Sequence, residues 1–404
     1  MCVKRWILGK RGEIISPKFK FLLLLILFIN SCIGENIKED DGIVKIEIDL
    51  ESFNEGNLSD LYDSITYVLL KPDSSNFLAD PYKIKFYKNL IFIRDAFHNS
   101  IFIYDKKGNL QFRINSTGKG PKEFFTMDDF SIYNDTIWIK DGLLKKELAY
   151  SLNGDLLLEK VSVFKRAMFH KGNTFNLYYL NNDPDFDYRI IRKSSQDVIP
   201  YILRPDYLVN NIFSDPLGFQ SDKQLNVYFN LPNDYKILQF DSMGILAKQY
   251  SFDFGFQNFK YEDRIELGEI INHYEYAEEN VLVESITSFV VLDEGHMIYL
   301  RRNEQNKEYI FFDRYFSYLY KGKNLINDLD FIPIVEMPWS SNGEEVIYLL
   351  NTSKFMSINN LEEIQKREGL KSNLNQFLFE NSTYMEEENY IIAFAQMKKE
   401  FRFK

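Results

Sequence analysis

The sequence predicts an all-β fold, a six-bladed β-propeller with short helical insertions. Three observations predict it. Runs of β-branched and aromatic residues recur, starting at residues 90, 137, 175, 225, 297 and 346; the first five are each followed by a second strand-like run; and three of these pairs lead into one turn spacing, D/S-x-x-G-x-L. A repeat of roughly 45 residues built from hairpins suits small sheets packed radially around an axis. Composition agrees. Of 404 residues, 45% are hydrophobic and 16% aromatic, enough to bury a large core and too much for a disordered chain. With 11 prolines and 19 glycines, collagen-like and low-complexity classes are excluded. A net charge of -11 argues against nucleic-acid binding, which needs a basic surface.

The first element is an address. Lys4, Arg5, Lys10, Arg11, Lys18 and Lys20 precede an unbroken apolar run, residues 21–29. A basic stretch before a short apolar one is the pattern of a secretory signal. At ~1.5 Å per residue the run is far shorter than the roughly 30 Å of a bilayer core, which argues against a membrane-spanning helix. Ile29-Asn30-Ser31-Cys32 follows and resembles a bacterial lipobox, with an aliphatic residue at minus three and a small one at minus one. Residues 1–31 are expected to leave as a lipoprotein signal peptide, with Cys32 lipidated. Cys2 would leave with them, so the mature chain has no thiol for a disulfide or a metal. Losing six basic residues and Glu13 takes the net charge from -11 to -16 over 373 residues. Acyl chains hold a protein on a membrane without a basic patch, so this acidity is compatible with an anchor. Residues 32–43 are polar and aperiodic and read as a tether. The propeller is expected from 44 to 404.

The six leading runs, 90–93, 137–139, 175–179, 225–229, 297–300 and 346–350, are expected as the innermost strands of six blades. Their followers are 101–104, 147–150, 188–191, 235–240 and 309–312. Turns from Asp105, Ser151 and Asp241 carry Gly108, Gly154 and Gly244. Glycine supplies the positive φ of a tight hairpin, and the Asp or Ser oxygen caps it. The fifth copy, from Asp313 to Phe316, has no glycine, and the third and sixth have no such turn. Between the fourth and fifth units, Tyr261, Ile265, Ile270, Ile271 and Tyr274 fall on one helical face; Leu361, Ile364, Leu370, Leu374, Phe377 and Leu378 form a second helical stretch, broken at Gly369. Residues 390–397 are expected to pair with an N-terminal strand such as 44–50, closing the ring without an open edge. Two β-sandwich domains would account for the strands but not for their six-fold recurrence.

Residues 99–105, the Gly108 turn, the stretch holding Gly118, Gly120, Pro121, Glu123 and Phe124, and residues 136–141 are similar to an NHL-type propeller repeat. Over about residues 44–399 the chain resembles the six-bladed β-propeller lipoproteins of the Bacteroidetes, which share that Gly-x-Gly-Pro-x-Glu-aromatic stretch and a C-terminal closing strand. The resemblance implies an outer-membrane lipoprotein, at the cell surface or facing the periplasm. Acidic residues soon after the lipidated cysteine go with surface export in such proteins, and Glu39, Asp40 and Asp41 stand there.

No H-E-x-x-H, G-x-S-x-G, phosphate loop or C-x-x-C is present. Gly118 and Gly120 precede Pro121 rather than a helix, so they read as an inter-blade turn. Some NHL-like propellers hold a metal in the central channel. Here His98, His170, His273 and His296 fall at opposite strand ends or in the helical insertion, and neither a metal nor a cofactor is expected. Asp183, Asp185 and Asp187 alternate like a calcium loop but lack its glycine and final glutamate, and read as a polar hairpin tip.

One constellation remains. The C-terminal ends of the six leading runs carry Arg94, Asp95, Lys140, Asp141, Asn181, Asn230, Arg301, Arg302 and Asn351. Equivalent strand ends in a propeller surround one mouth of the channel, where guanidinium, carboxylate and amide groups could hydrogen-bond a sugar or a peptide. Strand ends are also polar simply because they meet solvent. The expected function is a lipid-anchored binding or scaffold module for a glycan, a peptide or a partner protein. The alternative is an NHL-like lyase or hydrolase in the central channel, which would need Asp95 and Asp141 close together.

Overall fold

The computed structural model describes residues 38–40, 42–73, 76–165, 167–180, 185–205, 217–333 and 337–402. The signal segment, Cys32 and Asn181 lie outside them. The described chain forms a ring of six sheets. Blade 1 consists of Pro81–Tyr87, Leu90–Asp95, Ser100–Asp105 and Leu110–Ile114. Blade 2 follows with Asp129–Tyr133, Thr136–Asp141, Lys146–Ser151 and Leu156–Val161, and blade 3 with Met168–Lys171, Phe175–Tyr179, Tyr188–Ser194 and Val198–Leu203. Blade 4 contains Gln220–Ser221, Val227–Asn230, Lys236–Phe240 and Leu246–Asp253; blade 5 contains Ser288–Val291, Gly295–Asn303, Asn306–Asp313 and Tyr318–Ile326. Blade 6 is assembled from both ends of the propeller: Ser340–Ser341, Glu345–Asn351, Tyr390–Met397 and Tyr62–Leu70.

The first strand of each blade faces the axis. The runs that start at 90, 137, 175, 225, 297 and 346 are the second strands, so their expected innermost position is corrected by one step. The cause is local. A second strand is packed on both faces by neighbouring blades and reads as a largely apolar run, as in Phe175–Tyr179, buried throughout with Asn176 its one polar residue. In blades 4 and 6 the axial strands are only two polar residues each, Gln220–Ser221 and Ser340–Ser341, too short to read as strands. Six hydrophobic clusters fill the interfaces between adjacent blades; one joins Phe92, Ile101 and Ile103 of blade 1 to Phe130, Ile137 and Leu148 of blade 2.

The repeated turn is built alike wherever its residues allow. Asp105 Oδ1 accepts from the backbone N–H groups of Lys107 and Asn109, and Asp241 Oδ1 from those of Met243 and Ile245. In blade 5, Asp313 does the same, and Phe316 takes the left-handed conformation, φ 62°, where the others have glycine. The sixth copy has no turn because its fourth strand comes from the N-terminal region.

Tyr390–Met397 forms as expected, but its partner is Tyr62–Leu70, antiparallel, rather than residues 44–50. Ile43–Glu47 instead pairs in parallel with Leu246–Asp253 on the outside of blade 4, burying Val44 and Ile46. Glu55–Asn57 pairs in parallel with the last strand of blade 5. Residues 43–70 therefore bind the outer edges of blades 4 and 5 and then complete blade 6. The pairing extends back to Lys38–Asp40, inside the segment read as a tether.

Two helical insertions interrupt the repeat. Helices α1 (Tyr261–Leu267) and α2 (Ile270–Glu279) lie in the connection from blade 4 to blade 5, separated by Gly268. The second insertion joins the second and third strands of blade 6 through α3 (Thr352–Met356), α4 (Leu361–Gln365) and α5 (Leu374–Asn381). It covers the outer edge of that blade: Tyr67 N–H donates to Asn373 Oδ1 at 2.7 Å, and Asn373 Nδ2 donates to Tyr67 O at 3.0 Å. No helix among the described residues is long and apolar enough to cross a membrane.

Candidate functional site: a pocket between blades 4 and 5

The axis of the ring is occupied by side chains. Lys83 of blade 1 and Asp129 of blade 2 form an ion pair at 2.5 Å, both almost wholly buried. Asp129 Oδ2 also accepts from Phe169 N–H of blade 3. Lys85 Nζ reaches from blade 1 to Phe219 O, beside blade 4 on the far side of the ring, at 2.6 Å. Burial, with Lys85, Lys83 and Lys171 nearby, pushes the His170 imidazole down to about 3. Among the described residues no cluster of three or more His, Cys, Asp or Glu could hold a metal.

Most of the strand-end residues on which the sequence converges are engaged in local contacts. Asp95 is fully buried: Oδ2 accepts from Ala79 and Asp80 N–H, and Oδ1 from His98 N–H. Asp141 does the same one blade on, accepting from Phe125, Thr126 and Leu144 N–H. Each carboxylate thus ties the connection entering its blade to the turn leaving the second strand. Arg94 donates to Asp128 O at 2.9 Å and lies over Tyr82, while buried Lys140 donates to Phe164 O at 2.6 Å. Burial raises Asp128 to about 6, although Lys140 and Arg94 stand nearby. Asn351 caps α3 by accepting from Ser353 N–H. Gly118, Gly120, Pro121, Glu123 and Phe124 form the connection from blade 1 to blade 2. Gly118 N–H donates to Phe124 O, Gly120 N–H to Glu123 Oε2, and the Phe124 ring is buried between the two blades. A side chain at 118 would collide with the Glu123 carboxylate, 2.0 Å from an added Cβ.

Asn230, Arg301 and Arg302 do come together. They line a pocket of about 360 Å³ between blades 4 and 5, with Tyr274 and Glu278 of α2, Asn233, and Glu284 in the segment leading into blade 5. Its walls follow from the insertion. α1 is fixed by Arg264, whose guanidinium lies 4.4 Å from the centre of the Phe259 ring and pairs with Glu284 Oε1 at 3.1 Å. His273 of α2 hydrogen-bonds Arg264 O at 2.8 Å, joining the two helices. Burial lowers the His273 pKa, and the hydrogen bond to Arg264 O opposes that shift. Arg302 donates through Nη2 to Glu308 Oε1 at 2.6 Å and through Nη1 to Val281 O at 3.1 Å. Burial raises the pKa of Glu308, and Arg302 opposes that shift. Arg301 is exposed and paired with Glu304. Glu284 is 7% exposed, and its Oε2 is buried with no hydrogen-bond partner among the described residues. Tyr274 is 39% exposed, yet partial burial of its hydroxyl raises its pKa.

Glu284, Tyr274 and Glu278 were not legible as site residues. The one signal was the 72-residue interval between the fourth and fifth units, which locates an insertion without giving its contacts. A larger hollow, about 510 Å³, lies at the opposite ends of blades 6 and 1 against Phe86, Tyr87 and Phe394, and holds none of the strand-end residues.

A family model described as a 6-bladed beta-propeller, DUF5128, matches residues 35–349. The chain belongs to this family. Among solved structures, the DUF5128 chain is similar to that of a "Putative exported protein" from Bacteroides fragilis, at 16% identity and TM-score 0.63, covering 88% of this chain and 100% of that chain. A member of the DUF4221 family from Bacteroides vulgatus matches at 11% identity and TM-score 0.49, covering 84% and 97%. At 16% identity the first likeness bears on the fold alone. A search of the curated proteins returns no match.

Proposed function

We propose that this protein is a binding module held outside the cytoplasm by a lipid on Cys32, and that the pocket between blades 4 and 5 receives its ligand. The observation that carries the reading is the convergence of Asn230, Arg301 and Arg302 with an insertion that departs from the repeat. Export is supported by the lipobox-like Ile29-Asn30-Ser31-Cys32 and by the exported description of the Bacteroides fragilis relative. The lipobox and the acidic residues after it support an outer-membrane anchor, with the propeller at the cell surface or facing the periplasm. A channel-centred lyase or hydrolase has less support. Lys85 crosses the axis, and Asp95 and Asp141 each accept three or more hydrogen bonds that hold their own loops.

The test has two parts. Cys32→Ala should move the protein from the membrane fraction to the soluble fraction and abolish acyl labelling. The purified protein, applied to glycan and peptide arrays with and without calcium, should give a specific hit that weakens at least tenfold in Arg301→Ala. A hit that ignores Arg301→Ala and Tyr274→Ala alike would remove the pocket from the reading.

A further inference from the structure

We propose that the ligand of this pocket is a neutral saccharide, an inference that rests on the pocket being the ligand site. Charge balance comes first. Both guanidinium groups at the wall already have a carboxylate, Arg302 with Glu308 and Arg301 with Glu304, and the wall carboxylate Glu284 is itself paired with Arg264 behind it. The pairs of Arg264 and Arg302 are buried, so breaking either to engage a charged ligand would leave the other partner unpaired in a low-dielectric site, which is strongly unfavourable. An anionic ligand would face Glu278 and Glu284; a cationic one would face Arg301 and Arg302. A neutral ligand meets neither penalty.

Hydrogen-bonding capacity comes second. The walls supply both donors and acceptors, with the Arg301 and Arg302 guanidinium groups, the Glu284 carboxylate and an amide at Asn230 lining one pocket. Glu284 lines the pocket, and its Oε2, buried without a partner among the described residues, is an acceptor left unsatisfied beside it. A sugar carries hydroxyls that donate and accept at once, and so fits a wall of already paired charges. The half-exposed Tyr274 ring adds one flat apolar surface, suited to the C–H face of a pyranose. The volume, about 360 Å³, falls in the range of small-molecule sites, roughly 300–1,000 Å³, and is too small for a folded partner.

The protein purified in detergent is applied to an array carrying neutral glycans, uronate- and sulfate-bearing glycans, and peptides of both charges. Wild type is compared with Tyr274→Ala and Arg301→Ala, both at exposed positions, and thermal unfolding confirms that each variant folds. The expected result is binding to neutral glycans, at least tenfold weaker in Tyr274→Ala, with affinity changing less than twofold between 50 and 500 mM salt (roughly the screening range in which charged contacts fade). Binders that are charged, salt-sensitive and lost in the variants would overturn the saccharide assignment while keeping the pocket as a ligand site. Neutral-glycan binding unaffected by either variant would overturn both. Silence from every glycan, with the protein folded, overturns the saccharide, and the peptide features of the same array then decide the pocket.

Discussion

His296 sets a pH limit on the fold that can be worked out from its surroundings. It stands early in the second strand of blade 5, 1% exposed, with ring centres of Phe316, Tyr228 and Phe289 at 4.5, 4.7 and 5.6 Å. Neither imidazole nitrogen has a hydrogen-bond partner among the described residues. Burial alone pushes its pKa from 6.5 down to about 3. A base with a depressed pKa in the fold keeps the native state neutral while the unfolded chain takes up a proton. Its contribution is therefore fully present above pH 6.5, and is lost progressively as pH falls toward 3. At ~1.4 kcal/mol per unit, the two units between 6.5 and 4.5 amount to about 2–3 kcal/mol. His296→Phe keeps a ring among the three aromatics and removes the titration. Urea unfolding of both proteins at pH 7.5 and 4.5 reads the difference, because any fixed repacking cost of the larger ring cancels between the two pH values. Wild type should lose about 2–3 kcal/mol more than His296→Phe over that interval. Parallel losses would show that the imidazole is hydrated or paired, and would refute the dry aromatic site.

Three further outcomes test other parts of the structure. Asp128→Asn should stabilise the protein at pH 7 by about 1–2 kcal/mol, allowing for partial exposure; because burial raises the carboxyl to about 6, the gain should shrink below that pH and vanish below 4, as pH-dependent urea unfolding would show. Gly108→Ala should cost at least ~2–4 kcal/mol in thermal or urea unfolding, because the residue has φ 77° and an added Cβ would lie 1.9 Å from Leu69 O, where blade 6 meets blade 1. Lys83→Met should cost ~3–5 kcal/mol by leaving Asp129 charged and buried, and adding Asp129→Asn should recover part of it, since the amide oxygen can still accept from Phe169 N–H.

What was legible follows the range of each interaction. The turn from Asp105 to Leu110 is complete within six residues, so its spacing shows in sequence and its hydrogen bonds form as read. Tyr390–Met397 is a near-continuous apolar run and is read to the residue, but its partner is chosen by the whole ring, and both the 44–50 region and Tyr62–Leu70 offer apolar faces. The strand index failed for the same reason: Gln220–Ser221 and Ser340–Ser341 become strands only because blades converge at the axis. For the site, type and position came apart. Arg301 and Asp95 look equivalent as strand-end polar residues, yet Asp95 serves its own loops while Arg301 reaches solvent at a pocket. The difference lies in α1 and α2, whose position no strand end announces.

The ion pairs around that pocket are hard to explain by stability. Replacing a buried pair with well-packed apolar residues is often neutral or favourable by ~1–4 kcal/mol, so Arg264–Glu284 and Arg302–Glu308 are weak stability devices. The fold has firmer means elsewhere: six apolar interfaces, and residues 43–70 paired along blades 4, 5 and 6. Blade 4 and blade 5 are the two whose outer edges are held by those added N-terminal strands, which fixes the frame on which α1 and α2 stand. A rigid frame, an insertion that departs from the repeat, and charges neutralised before any ligand arrives suit a site that recognises by hydrogen-bond geometry. Such a site gains selectivity for ligands that satisfy its paired groups and penalises those that would separate them.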